Sequence, residues 1–250
     1  MSDRPVTRLT AVLLVVVLVG AALTVGAIAS SHDDSQNTAY LRVAHASPDA
    51  PAVDVYVDNE TVLEDVEFGD VSDYLELDNH PHNVTITAAG DRNATVFDGE
   101  VTLERGTATT VAASGELSEN GTTDFAPRTF SDNALTPDEG AAAVRVVHLS
   151  PGAPTVDVTT ADGEVVLAEN VSFGNASEYV TVPEGDYEVE IRQDTPAANG
   201  TVITTVDVEL DDETTYTAWA VGYAAPDDAP ADTAFEIQLT EDASMTIHLP

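Results

Sequence analysis

The sequence predicts an all-β protein of two tandem antiparallel β-sandwich domains, with one N-terminal hydrophobic helix in front of them. Three observations lead there. A long block recurs once, about 105 residues further on; apolar and polar residues alternate with period two inside each copy; and one unbroken apolar run stands near the start. Period two gives a strand one buried and one wet face. Seven or eight short strands per copy, punctuated by turns and free of amphipathic helices, fit an Ig-like sandwich.

The apolar run is Leu9–Ala29, LTAVLLVVVLVGAALTVGAIA, 21 residues. As a helix it is about 30 Å long, which matches a bilayer core. Arg4 and Arg8 precede it, Asp33 and Asp34 follow it, and this asymmetry keeps Met1 inside and sends the rest outside. Two readings fit. The length suits an uncleaved membrane anchor, while Ala27-Ile28-Ala29 supplies a small-residue cleavage site for a signal peptide. Either places the remainder on the extracellular side of the cell membrane, anchored or secreted. Residues 1–8 form a basic N-terminal region and residues 30–38 a polar stalk.

The repeat organises everything after the stalk. Leu41–Val57 reads LRVAHASPDAPAVDVYV, and Val144–Thr160 reads VRVVHLSPGAPTVDVTT. Arg42, His45, Ser47, Pro48, Pro51 and Asp54 thus return as Arg145, His148, Ser150, Pro151, Pro154 and Asp157. A second block, VEFGDVSDYLEL at Val66–Leu77, is answered by VSFGNASEYVTV at Val171–Val182. There Phe68, Gly69, Ser72 and Tyr74 become Phe173, Gly174, Ser177 and Tyr179. A third pairs Val101–Gly115 with Val208–Gly222, and the offset grows from 103 to 105 to 107 residues. Insertions therefore fell in loops, where they are tolerated. Each unit is the size of a domain and too long for a solenoid repeat. The first sandwich is expected at 39–134, a joint at 135–140 and the second sandwich at 141–250.

Within the copies, Leu41-Arg42-Val43, Val53–Val57, Val84–Ile86, Val101–Leu103, Tyr187–Ile191 and Val206–Leu210 alternate as strands do. Phe125–Ser131 and Phe235–Leu239 complete the two sandwiches, and Met245–Leu249 adds an edge strand. Phe68, Tyr74, Phe173 and Tyr179 read as core or corner aromatics, Trp219 as a core residue.

Composition narrows the setting. Asp and Glu number 45 against 8 basic residues, all Arg, for a net charge of −37. With 43% hydrophobic residues this is not the profile of a disordered chain. At molar salt the Debye length falls to about 3 Å, so self-repulsion is screened. The composition resembles that of extremely halophilic archaea. The same charge excludes nucleic acid as a partner, because phosphate binding needs clustered Lys and Arg. There is no cysteine, hence no disulfide and no lipid-modified cysteine.

RVAHASPDAPAVDVYVD followed by FGDVSDYLEL, and again RVVHLSPGAPTVDV with FGNASEYVTVPEGDYEVEI, resemble the domain-of-unknown-function family numbered 4397. The resemblance covers nearly all of the chain beyond the stalk. It implies an extracellular β-sandwich module, often in tandem, on cell surfaces, and it implies no activity. The second copy departs at Gly152 for Asp49, at Leu149 for Ala46, and lacks an aromatic equivalent to Tyr56.

His45, Ser47 and Asp54, with His148, Ser150 and Asp157, are polar residues that both copies keep and the candidates for a binding role. A hydrolytic triad would need them to converge beside an oxyanion hole, and no Gly-x-Ser-x-Gly elbow accompanies them. The expected alternative is a Ser-Pro turn whose backbone the His and Asp side chains brace. His80-x-His82 lacks further zinc ligands nearby and reads as an exposed loop. Asp70–Asp73 and Asp211-Asp212-Glu213 lack a calcium-loop pattern. No cofactor and no metal is expected. Asn59, Asn93, Asn120, Asn170, Asn175 and Asn199 open N-x-Ser/Thr triplets suited to glycosylation, and Asn83, inside a predicted strand, is the weakest such position. The expected function is a non-enzymatic extracellular surface protein (an adhesion, envelope or binding module) adapted to high salt, with a cell-surface protein or glycan as partner. The alternatives are a secreted or anchored hydrolase using the His/Ser/Asp set and a solute-binding protein.

Overall fold

The computed structural model describes residues 38–133 and 135–244. The expected membrane helix at 9–29 and the expected edge strand Met245–Leu249 lie outside the described residues. So does the stalk, except that Thr38 proves to be the first residue of a strand.

The first copy comprises β1 (Thr38–Ala46), β2 (Val53–Val57), β3 (Glu60–Val66), β4 (Leu75–Asp78), β5 (Pro81–Ala88), β6 (Asp91–Thr102), β7 (Ala108–Ser114) and β8 (Ala126–Asp132). The second comprises β9 (Ala141–His148), β10 (Val156–Thr160), β11 (Val166–Val171), β12 (Asn175–Ala176), β13 (Val180–Pro183), β14 (Gly185–Gln193), β15 (Val202–Leu210), β16 (Thr214–Val221) and β17 (Glu236–Ala243). Among the described residues there is no α-helix.

Each copy folds into two sheets. In the first they run β4-β1-β7-β8 and β3-β2-β5-β6; in the second, β9 carries β12 and β13 on one side and β16-β17 on the other, above β11-β10-β14-β15. Pairing is antiparallel except at β1–β7 and β9–β16, which are parallel. The expected purely antiparallel sandwich is therefore corrected at one central pair per copy. The reason is connectivity: β1 and β7 stand far apart in sequence, with room for the crossover that parallel neighbours require. Turn chemistry fits the strands. Asp58 and Asn59, with φ of 49° and 71°, make the two-residue turn between β2 and β3, a conformation Asn and Asp tolerate.

Among the described residues, three apolar clusters hold the fold together. One lies inside each sandwich, around Leu41, Val55 and Ile86 in the first and around Val144, Val158 and Ile191 in the second. The third joins the copies: Ala44, Ala46, Ala112 and Phe130 pack with Val147, Leu149, Trp219 and Val221. The sheets containing β1 and β9 thus face each other, and the four sheets form one stack. All eight residues of β16 are buried, as are Ala39–Ala46 of β1. The expectation that Leu41-Arg42-Val43 has a wet face is overturned: Arg42 is only 2% exposed. Its alternation is real, but the polar side meets the other copy instead of water.

Candidate functional site

The repeated His and Ser close a turn. His45 Nε2 donates to the Pro51 carbonyl (3.0 Å), Ser47 N–H points at His45 Nδ1 (3.4 Å), and Ser47 Oγ donates to the Gly115 carbonyl (2.7 Å). His148, Ser150, Pro154 and Gly222 repeat this at 3.0, 3.3 and 2.6 Å. The neighbours assign the neutral Nε2–H tautomer to both rings. Gly115 and Gly222 are required: φ is 88° and 74°, and a Cβ would come within 2.2 Å of the Asp124 carbonyl oxygen or 2.1 Å of that of Ala234. Both His and both Ser are buried.

Asp54 and Asp157 do not join them. Asp54 accepts the N–H groups of Asp65 and Gly90, at 2.9 Å each, and Asp157 those of Asn170 and Thr195 at the same distance. Asp65 and Asn170 have φ of 57° and 53° where β3 and β11 shift register. Each Asp therefore pins a left-handed bulge residue and a neighbouring hairpin. The six candidates form two turn braces and two bulge braces, and no triad.

Burial lowers the pKa of His45 and of His148; the Pro51 and Pro154 carbonyls, and Asp70 beside His45, oppose the shift without overcoming it. Below the ordinary value of 6.5 the unfolded chain binds protons that the folded chain still refuses. Stability is therefore expected to fall as pH drops from 6.5 towards the lowered folded values, and to level off beneath them. Urea midpoints between pH 8 and pH 5 measure this. A flat profile there, with loss only in the carboxylate range, would count against it. Asp58 is a separate case: the His82 hydrogen bond lowers its pKa, so its contribution disappears only under acid.

The remaining repeated residues meet across the interface. Arg42 Nε donates to Thr110 Oγ1 (2.9 Å), one terminal nitrogen donates to the Glu241 carbonyl (3.0 Å), and the other pairs with Asp242. Arg145 makes the same three contacts with Thr217, the Ser131 carbonyl and Asp132. Each acid is prepared by its own copy. Asp132 accepts from Thr110 (2.6 Å) and Tyr74 (2.9 Å), Asp242 from Thr217 and Tyr179 (2.6 Å each). Arg42 lies over the Tyr74 ring at 4.7 Å and Arg145 over Tyr179 at 4.8 Å. The side chains of Asp132 and Asp242 are wholly inaccessible. Two guanidinium groups and two carboxylates thus form a neutral quartet. It has the reciprocity of a two-fold interface, with i touching j′ and j touching i′. Burial alone would lower the Arg42 pKa, but Asp242 and Asp132 raise it, so the guanidinium stays charged.

The Phe-Gly dipeptide of the motif serves the same contact. Phe68 and Phe173 stand edge-on to His45 and His148 at 6.4 and 6.3 Å. Arg128 from the first copy covers Phe173 at 5.0 Å and Gly174, while Gln238 from the second covers Gly69. A Cβ at either glycine would strike the visiting side chain, at 2.4 Å for Gly69 and 2.7 Å for Gly174. The axis also tolerates asymmetry. Glu116 accepts from the Tyr223 hydroxyl (3.0 Å), the two residues standing at equivalent places after Gly115 and Gly222. Phe130 meets Trp219 edge-on at 5.9 Å. Sequence reasoning missed Asp132, Asp242, Thr110 and Thr217. A faint signal existed: an acid ends β8 (Asp132) and stands next to the end of β17 (Asp242), but at an offset of 110 residues that the rest of the repeat does not share.

Other candidates resolve separately. His80 is exposed, but His82 is 4% exposed, which corrects the expected exposed loop. It lies on β5 with its Nδ1 2.6 Å from Asp58 and its Nε2 2.8 Å from the Asp78 carbonyl, because alternation turns it inward. Among the described residues no group of three or more His, Cys, Asp or Glu is placed to hold a metal. Asp70 and Asp212 cap the backbone N–H groups of Glu67 and Gly140. Asn59, Asn93, Asn120, Asn170, Asn175 and Asn199 are all exposed, and so is Asn83.

Two overlapping segments, residues 39–159 and 144–248, match the model of a family described as "Domain of unknown function (DUF4397)". No curated protein matches. Among solved structures, a leucine-rich repeat protein from Bacteroides thetaiotaomicron aligns at 13% identity over 74% of this chain with a TM-score of 0.20. This chain spans about a quarter of that protein (26%), and so distant a likeness carries no argument.

Proposed function

Because the chain belongs to the DUF4397 family through two successive copies, we propose that it is a non-enzymatic surface protein whose two Ig-like sandwiches act as one rigid extracellular body. One observation carries this reading: the polar residues that define the motif are consumed in internal braces and in the contact between the copies. What faces outwards is a carboxylate-rich surface with exposed asparagine triplets, the kind of surface an adhesion, envelope or binding module presents. The charge of −37 without a single Lys supports a haloarchaeal type working in concentrated salt. The basic-apolar-acidic order around Leu9–Ala29 supports an anchor or a signal peptide, and with it attachment to the membrane or release into the medium. A cell-surface protein or glycan is the partner class that fits; so negative a surface repels nucleic acid.

Intact-mass analysis of the native protein from membrane and medium fractions tests this. A membrane-bound product retaining Met1–Ala29 and carrying glycan mass is expected for the anchored form, and a product starting near Ser30 in the medium for the secreted one. An unglycosylated product with its leader intact in the cytoplasm would refute the extracellular assignment.

A further inference from the structure

The two copies differ at the hairpin beside their shared turn. In the first, two residues, 89–90, join β5 to β6; in the second, eight residues, 194–201, join β14 to β15. The longer loop is held throughout. The repeated Asp157 accepts the Thr195 N–H at 2.9 Å, and the Asp194 N–H donates to the Thr155 carbonyl at 3.0 Å. Ala198, with φ of 48°, is buried and donates its N–H to the Thr195 carbonyl at 3.0 Å. The Gln193 N–H reaches the Thr201 carbonyl (2.9 Å) and Arg192 the Gly200 carbonyl (3.0 Å). A Cβ at Gly200 would lie 1.9 Å from the Gln193 carbonyl oxygen, so the loop closes on a glycine. Between this loop and Thr155 lies an open cleft of about 510 Å³, within the roughly 300–1,000 Å³ of small-molecule sites.

The lining is mostly hydroxyl and amide, from Thr155, Gln193, Asn199 and Thr201, with one carboxylate, Asp194. Such a wall can exchange hydrogen bonds with a polyol. One carboxylate is too few for a metal ion, and a chain of net charge −37 repels an anion. Three lining residues, Asn199-Gly200-Thr201, are themselves an N-x-Thr triplet. Thr195 Oγ1 accepts the Asn199 N–H (3.1 Å) and donates to Asn199 Oδ1 (3.2 Å). This leaves Nδ2 without a protein partner among the described residues. Asn83, Asn93 and Asn175 instead spend Nδ2 on Asp98, Asp91 and Ser172.

Resting on the extracellular reading above, we propose that Asn199 is an N-glycosylation site whose first sugars seat in this cleft. Attachment joins Nδ2 to the anomeric carbon of a phosphate-activated sugar, the donor of the transferase that modifies the exported chain. The carbon–oxygen bond to phosphate breaks, phosphate leaves with the bonding pair, and Nδ2 gives up one proton. Among the described lining residues none is aromatic, so a free sugar gains no large apolar contact. The covalent tether supplies the high effective concentration that the wall alone does not.

Glycopeptide mapping of the native protein tests attachment: Asn199 is expected to be occupied, and more fully than Asn83, Asn93 or Asn175. Hydrogen exchange of the full chain tests the seat. Amides of residues 195–201 are expected to exchange several-fold more slowly in the native glycoform than in Thr201→Ala, which keeps Asn199 but breaks the triplet. Thr155→Trp blocks the cleft and keeps the triplet; it should carry the glycan yet exchange as fast as Thr201→Ala. Should Thr155→Trp not fold, the native and Thr201→Ala chains decide alone. An exported protein with Asn199 bare, or exchange indifferent to the glycan, would overturn the proposal and leave the extracellular reading standing. A bare, leader-bearing chain in the cytoplasm would sink that reading first. Free N-acetylglucosamine titrated into Thr201→Ala separates the sources: saturable binding there, with Asn199 bare in the native chain, means that the cleft takes another molecule's sugar, and the self-attached glycan is refuted.

Discussion

Arg42→Leu is expected to destabilise the protein by about 3–5 kcal/mol, read as a fall in the urea midpoint at unchanged slope. The size follows from what is left behind. Asp242 would keep its hydrogen bonds from Thr217 and Tyr179 but lose the guanidinium paired with it, at a site closed to water. The quartet would then hold one cation against two carboxylates. Arg42→Lys keeps the charge but cannot serve Thr110, the Glu241 carbonyl and Asp242 together, because an ammonium lacks the planar fork; an intermediate loss is expected. Arg42→Leu with Asp242→Leu removes the stranded charge and should recover part of the loss, with the Thr217 and Tyr179 hydroxyls still short of an acceptor. Arg145 and Asp132 should behave alike, since they make the same contacts from the other side. If Arg42→Leu costs less than 1 kcal/mol, or if its effect simply adds to that of Asp242→Leu, the quartet does not hold the copies together.

The architecture was legible because the repeat and the period-two runs are local signals. The alternating run Val53–Val57 coincides with β2, and Phe125–Ser131 lies one residue from β8. The turn-bracing role of His45 was legible too, since Ser-Pro-x-Ala-Pro dictates a turn whatever surrounds it, but Asp54, expected to brace the same turn, holds the backbone at Asp65 and Gly90 instead. What the alternation could not reveal is where the polar face of β1 points. A lone Arg between apolar neighbours, as at Arg42 in β1, means water on a lone sheet, and the same pattern means an ion pair when a second copy carries a complementary acid. The clue lay in the pairing of two copies, not in either copy: an Arg at one offset and an Asp at another become partners only when the inner sheets face each other. His82 misled for a related reason. Its burial depends on Asp58, 24 residues away, and no local pattern announces that.

The midpoint of thermal unfolding is expected to climb steeply between 0.1 M and molar NaCl, and the second copy should set the slope. On its outer sheet Asp186 stands opposite Glu209 and Glu188 opposite Asp207, all four exposed. Side chains directly opposite in an antiparallel pair sit about 4.5–5.5 Å apart, and like charges there are destabilising. The first copy avoids this: Asn83 and Thr85 face Glu100 and Asp98 on its outer sheet, and both donate to Asp98. Raising the salt shrinks the screening length from about 10 Å to about 3 Å. That silences the exposed ladder and barely touches the buried quartet. Glu188→Gln with Glu209→Gln should therefore raise the midpoint at low salt and leave it unchanged at molar salt, whereas Arg42→Leu should lower it at both. Salt can also act by strengthening apolar burial, and the neutralised variant separates the causes. If its midpoint climbs with salt as steeply as the parent's, the facing carboxylates are not the source of the salt requirement.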